Sequence, residues 1–241
     1  MNSITQQIKN GLPAAAALAI IILAWQIICS LGMVPEYMLP SPVQVVAALI
    51  GDFPMIMTHA KITLAEAVIG LFIGIALAFA IASLMDYFAT MHKALYPLMI
   101  ITQTIPTIAI APILVLWLGF GMAPKIALVI ITTFFPIAVG LLDGYKSVYR
   151  DEIRLMESMG EGPLQIFRHV KFPAALPGFF AGLKISSSYA IVGAVISEWL
   201  GGFEGLGVYM TRVRKAYAFD KMFAVIIFII VLSLLLLLIV T

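Results

Sequence analysis

Few side chains in this 241-residue chain could do chemistry, and their spacing does not assemble a catalytic set. His59, His92 and His169 are scattered, with no His-x-x-x-His pair to hold a metal, and read as surface residues. Cys29 is the single cysteine, so no internal disulfide forms. It also fails as a lipoprotein anchor, because Ile28 stands where a small residue should precede it. The glycine-rich run GGFEGLG, residues 201–207, follows no strand of a βαβ unit and is not a dinucleotide fingerprint. No GxxxxGK[ST] sequence occurs, so any energy from ATP must arrive through a partner.

Three charges lie in or near apolar runs: Glu66, Lys184 and Glu198. An unpaired charge in lipid is costly, so each is expected to face a helix bundle or lie at its end. Thr102, Gln103, Thr104 and Thr107 lie on a run punctuated by Pro97, Pro106 and Pro112. Polar side chains at that depth line a water-filled route or make helix-to-helix hydrogen bonds. Proline removes a backbone donor and kinks a helix, which is tolerated where neighbours or water satisfy the freed carbonyl.

These groups must be positioned by helices in a membrane. The chain is 63% hydrophobic and 11% charged, against about 25% charged residues in ordinary soluble domains. Apolar runs fit helices crossing a bilayer core of about 30 Å, and no alternating strand pattern of a transmembrane barrel is visible. Six spans are expected, near residues 13–32, 62–84, 97–118, 125–142, 179–199 and 222–241. The first lacks a signal-peptide cleavage site and reads as a retained span; the last reaches Thr241 without a charged tail, as a trimmed end would. Ser41-Pro42 is a helix-start signal for a short interfacial helix. Gly70 and Gly74 form a small-xxx-small pair for close helix contact, and Trp25, Trp117 and Trp199 read as interface anchors. With the N-terminus inside, seven Lys and Arg fall inside and six outside, so charge leaves sidedness open. The net charge of +2 gives no reason to invoke nucleic acid.

One long polar stretch remains, residues 143–178. A helix is expected over 151–159, with Ile153, Met156 and Met159 as an apolar stripe. Gly160-Glu161-Gly162-Pro163 breaks it, and a second short helix over 164–172 is expected to end at Pro173 and Pro177. Such a knob either docks in a partner's groove or is a solvated helical hairpin.

The stretch from Gly160 through Val170 and Phe172 to Pro173, continuing AALPG, resembles the EAA loop of ABC importer permeases. LPSP at 39–42, QTIPTIAIAPILVLWLGFG at 103–121, and GAVISEWLGG with GLGVYM at 193–210 resemble the nitrate, sulfonate, taurine and thiamine-precursor branch of that family. The family's Glu-Ala-Ala falls on Arg154-Leu155-Met156, with Glu157 three positions after Arg154.

The resemblance implies an all-α, polytopic permease of the type I importer fold, a single transmembrane domain in the bacterial inner membrane. Residues 154–167 would form a cytoplasmic coupling helix with Gly160 as pivot, meeting an ATPase subunit through Arg154, Leu155, Met156, Glu157, Ser158, Met159, Gly160, Gln165, Ile166 and Phe167. This chain would bind no cofactor, ATP and Mg²⁺ belonging to the ATPase. A second permease copy and an extracytoplasmic substrate-binding protein are the other implied partners. Glu198, Arg212 and Arg214 would form an outer gate or meet the binding protein; Glu198 also reads as an interfacial residue, and Arg212, Arg214 and Lys215 as lipid headgroup contacts. The substrate implied first is a pyrimidine precursor of thiamine or a similar vitamin, with taurine, alkanesulfonates and nitrate as alternatives. A secondary transporter driven by ions through Glu66 and Glu198 is the rival reading, and a membrane scaffold the third. The rival lacks an internal repeat: the broken third span has no counterpart elsewhere.

Overall fold

A computed structural model describes residues 2–240, with no side-chain description for residues 2–12 and 14. All regular structure among the described residues is helical. The chain runs through α1 (Asn2–Ser30), α2 (Pro42–Gly51), α3 (Phe53–Tyr87), α4 (Ala89–Thr104), α5 (Thr107–Leu118) and α6 (Ala123–Lys146). It continues through α7 (Arg150–Ser158), α8 (Pro163–Ile166), a π turn (Phe167–Lys171), α9 (Phe172–Leu200), α10 (Leu206–Lys215) and α11 (Phe219–Val240). Among the described residues, four helical segments are long and apolar enough to cross a membrane: α3, α6, the run Pro163–Leu200, and α11. The pair α4 and α5 meets the same test only when taken together.

That pair departs from the expected kinked span over 97–118. The chain turns by 101° between Thr104 and Thr107. Ile105 is extended, with φ −77° and ψ 124°, as the residue before a proline prefers. Pro106 therefore separates two helices, whereas Pro97 and Pro112 are carried inside them. The short helix at Ser41-Pro42 forms as read. Ser41 Oγ accepts from the Gln44 backbone N–H at 3.3 Å, and Gln44 Oε1 accepts from the Ser41 N–H at 2.7 Å, a reciprocal capping box.

Contacts group the residues into two compact units. In the unit of Met1–Met57 and Tyr209–Phe228, Trp25 Nε1 donates to Pro40 O at 3.1 Å and its ring meets Phe223 at 5.9 Å. Asp52 there accepts hydrogen bonds from Tyr209 Oη and Lys221 Nζ.

In the unit of Thr58–Val208 and Ile229–Thr241, α6 and α9 pack backbone to backbone. A Cβ on Gly140 would strike Gly178 O, and one on Gly182 would strike Pro136 O. Small residues at the crossing let the two backbones meet, which is how membrane helices gain van der Waals contact without a hydrophobic driving force. Ser186 Oγ adds a hydrogen bond to Thr133 O at 2.7 Å. Gly70 and Gly74 serve the same end on α3, facing Val129 and Thr133 of α6.

The second half of the polar stretch differs from expectation. Pro173 and Pro177 do not end a helix; α8, the π turn and α9 run on to Leu200. The π turn precedes Pro173, where an irregular turn accommodates the missing N–H. The stretch is thus one short free helix, α7, followed by the extended foot of a spanning helix.

Candidate functional site

Three polar groupings arise in the larger unit. The first is built on α3, where His59, Thr63 and Glu66 fall at spacings of four and three and share one face. Lys125, near the start of α6, places Nζ 2.8 Å from Glu66 Oε1, and Glu198 near the end of α9 accepts from Thr63 Oγ1 at 2.6 Å. All five side chains belong to buried residues. Residues 201–207 close over them. Gly205 N–H donates to His59 Nδ1 at 3.0 Å, Leu206 N–H to Thr63 Oγ1 at 2.8 Å, and Gly207 N–H to Glu198 Oε2 at 2.6 Å. These donors lie at the start of α10, where backbone N–H groups have no partner within the helix. Lys125 Nζ also donates to Glu204 O at 3.1 Å. Gly205 holds φ +121°, and a Cβ there would collide with the Glu198 carboxylate, so this position requires glycine.

One sequence reading is corrected here: His59 is not a surface residue, being only 4% exposed. Glu198, at 2%, faces the bundle interior. Each is held inside by a backbone N–H that needs it. The cluster acts as a clamp, its lysine and backbone donors tied to Glu66 Oε1, Glu198, Thr63 and His59. Lys184, by contrast, is exposed.

The second grouping lines a cavity of about 650 Å³ bounded by α4, α5, α6 and α9. Thr102, Gln103 and Thr107 reach it, as expected of the proline-broken run. Thr104 is not among its walls, and its hydroxyl donates to Ile101 O at 2.7 Å. Sequence reasoning missed the facing wall: Thr132, Phe135 and Asp143 from α6, and Tyr189 from α9. The available signal was the glycines at 140, 178 and 182, which bring α6 and α9 together and border the same space. Among the described residues, Asp143 is the only charged side chain on the wall.

The third grouping is the polar stretch. Arg154, Leu155, Glu157, Ser158, Met159 and Gly160 are exposed, and Met156 is half-buried. Leu155 on α7, Met159 just after it and Leu164 on α8 are 61%, 69% and 79% exposed, apolar side chains around the Gly160 turn. Gly160 turns the chain at φ +84°, and Gln165 Oε1 accepts from the Gly162 N–H at 2.7 Å. Ile166 and Phe167 point the other way. Ile166 is buried, and Phe167 packs against Phe79, Tyr145 and Phe172, anchoring the foot to the bundle. Lys171 pairs with Asp86 at 2.8 Å beside it. Arg212 and Arg214 lie exposed on α10, in the other unit from buried Glu198. Among the described residues no group of three His, Cys, Asp or Glu side chains converges as a metal site.

The profile of the family described as "Binding-protein-dependent transport system inner membrane component" matches residues 70–241. A probable ABC transporter permease protein of Haemophilus influenzae is 35% identical over 215 residues, 89% of this chain and 88% of that protein. The formylaminopyrimidine transport permease protein ThiX of Halalkalibacterium halodurans is 40% identical over 189 residues, 78% of this chain and 76% of its own length. Among solved structures, an inward-facing MetNI methionine ABC transporter chain superposes with a TM-score of 0.66 at 21% identity. That match covers 78% of this chain and 98% of the other, and shows a shared fold.

Proposed function

Because the chain belongs to the binding-protein-dependent transport system inner membrane component family, and is the permease of an ABC importer, we propose that its cargo is a small, uncharged nitrogen heteroaromatic of the formylaminopyrimidine kind, a precursor of thiamine. The observation that carries this is the cavity wall. Phe135 and Tyr189 offer ring faces, and Thr102, Gln103, Thr107 and Thr132 offer uncharged donors and acceptors. The charge on the described wall, Asp143, is negative. A sulfonate group, taurine's included, or a nitrate would leave water for a wall without a cation, at a desolvation cost that no positive partner offsets. The ThiX relative supports the same reading.

The movement needs an engine that this sequence lacks. In the proposed complex, two copies of this chain enclose the pathway, and each places α7 with Leu155, Met159 and Leu164 in a groove of an ATPase subunit on the cytoplasmic side. ATP and Mg²⁺ are held by those subunits. A binding protein delivers cargo at the opposite face, where the clamp at Glu198 fixes residues 201–207. Closure of the ATPases on ATP displaces α7. The displacement passes through the Phe167 anchor and the continuous α8–α9 rod to the cavity wall, shifting the bundle between inward and outward populations.

The test is uptake by proteoliposomes holding this permease, its ATPase and its binding protein. ATP-dependent accumulation of formylaminopyrimidine, with taurine and alkanesulfonates excluded, is the expected result. Comparable ATP-dependent taurine uptake overturns the substrate assignment, and uptake by the chain alone under an ion gradient overturns the importer mechanism.

A further inference from the structure

A fourth polar grouping lies apart from the cavity, where α3 turns into α4. A pocket of about 290 Å³ is walled there by Met85, Asp86, His92, Lys93, Leu142 and Lys146, among others. Its acid is already neutralised, since Asp86 accepts from Lys171 Nζ at 2.8 and 3.0 Å. Its cations are not. Among the described residues, neither Lys93 nor Lys146 forms an ion pair. With Asp86 paired to Lys171, which lies outside the wall, the charges of Lys93 and Lys146 are left unbalanced next to a spanning helix's end.

The cations are arranged on an aromatic support. Lys146 Nζ stands 5.3 Å from the centroid of the Tyr96 ring, and His92 stacks on that ring at 5.1 Å, 12° from parallel. His92 Nε2 is buried without a hydrogen-bond partner. The pocket presents two cations without counter-charges. Beside it, the α3–α4 turn exposes Tyr87 and Phe88, packed edge to face at 4.7 Å, with Met91 41% exposed one turn later. Paired exposed aromatics at the end of a spanning helix mark the headgroup level of a bilayer.

We propose that this pocket binds the phosphodiester headgroup of an anionic phospholipid. Lys93 and Lys146 meet the phosphate charge, His92 and Tyr96 support Lys146 from behind, and the acyl chains leave past Tyr87, Phe88 and Met91. A freely diffusing phosphate would use the same cations but not the aromatic rim. Because Asp86 is tied to Lys171, the bound lipid would steady the foot of the polar stretch. The inference is independent of what the cavity transports.

The full transporter complex, purified in neutral detergent, is titrated with phosphatidylglycerol and with phosphatidylcholine, and bound lipid is counted by native mass spectrometry. The wild type retains phosphatidylglycerol selectively. A basic residue near a membrane surface is worth about fivefold in affinity for anionic lipid, so Lys93→Gln with Lys146→Gln lowers retention about 25-fold. Lys61→Gln, an exposed lysine elsewhere, leaves it unchanged. Equal retention by the double variant overturns the proposal. So does inorganic phosphate that competes away the bound lipid's stabilisation at equal concentration, which assigns the site to a free anion. Loss of the ATPase subunit with lipid retention intact assigns the lysines to protein docking and also overturns it. If the double glutamine variant unfolds, Lys93→Arg with Lys146→Arg must retain the lipid, and failure to do so counts against the site.

Discussion

Lys125 Nζ lies 2.8 Å from Glu66 Oε1, with 5% and 0% of the two side chains exposed, although 59 residues separate them in the chain. Lys125→Met leaves the Glu66 carboxylate buried without its cation. Breaking one side of a buried pair costs about 3–5 kcal/mol, and here it also removes the donor to Glu204 O. The expected outcome is a marked fall in thermal midpoint in detergent. Lys125→Met with Glu66→Leu should recover more than half of the loss, because no charge is then stranded. A single variant as stable as the wild type would show that the pair does not hold this region.

Gly160 adopts φ +84° with nothing within 4 Å of where a Cβ would stand. Any penalty at this position is therefore backbone strain, about 1–2 kcal/mol for an ordinary L-residue. Gly160→Val should distort the turn after α7 and lower solute moved per ATP hydrolysed, whereas Gly160→Asn, which tolerates the left-handed region, should be milder. Equal coupling ratios in proteoliposomes for all three proteins would remove Gly160 from the coupling path.

Asp52 provides a pH dependence outside the spanning segments. Hydrogen bonds from Lys221 and then Tyr209 hold its carboxyl below the usual carboxylate range, outweighing the opposing effect of burial. Tyr209 is pushed upward in turn, chiefly by burial and by donating to Asp52. For a depressed carboxyl, the folded state binds the proton less readily than the unfolded chain. The stabilisation is thus complete above the unfolded value near pH 4 and lost as pH falls through the lower folded value. Thermal midpoints from pH 7 to pH 3 should fall more steeply for the wild type than for Asp52→Asn. Parallel profiles would refute the assignment.

Gln103 stands on the cavity wall at the end of α4. Loss of one hydrogen bond to a passing solute corresponds to about 1 kcal/mol, or roughly fivefold. Gln103→Ala should slow uptake by that factor while basal ATPase activity and binding-protein affinity stay constant. An unchanged uptake rate would make Gln103 a structural side chain.

Much of the architecture was local and therefore legible. Long apolar runs, Ser41 before Pro42, and the Gly160 break each express short-range rules of composition, capping and backbone freedom, and each reappears in the helices. The family motifs around residues 160–178 and 193–210 lie within the region that the family profile matches. Gly70 and Gly74 were legible as contact points, though not which helix they would meet.

What folding alone decided is which distant groups meet. Glu198 looked like a charge at a membrane boundary, yet Thr63, 135 positions away, and the Gly207 N–H draw it inside. His59 has no local signal for burial; its reason is the Gly205 N–H that reaches it across 146 positions. Pro106 breaks the chain where Pro97, Pro112, Pro173 and Pro177 do not, because a proline's effect depends on whether the surrounding backbone can do without its hydrogen bond. Periodicity and propensity operate over a few residues. Pairing of buried polar groups is set by which helices pack, and no window along the chain contains that information.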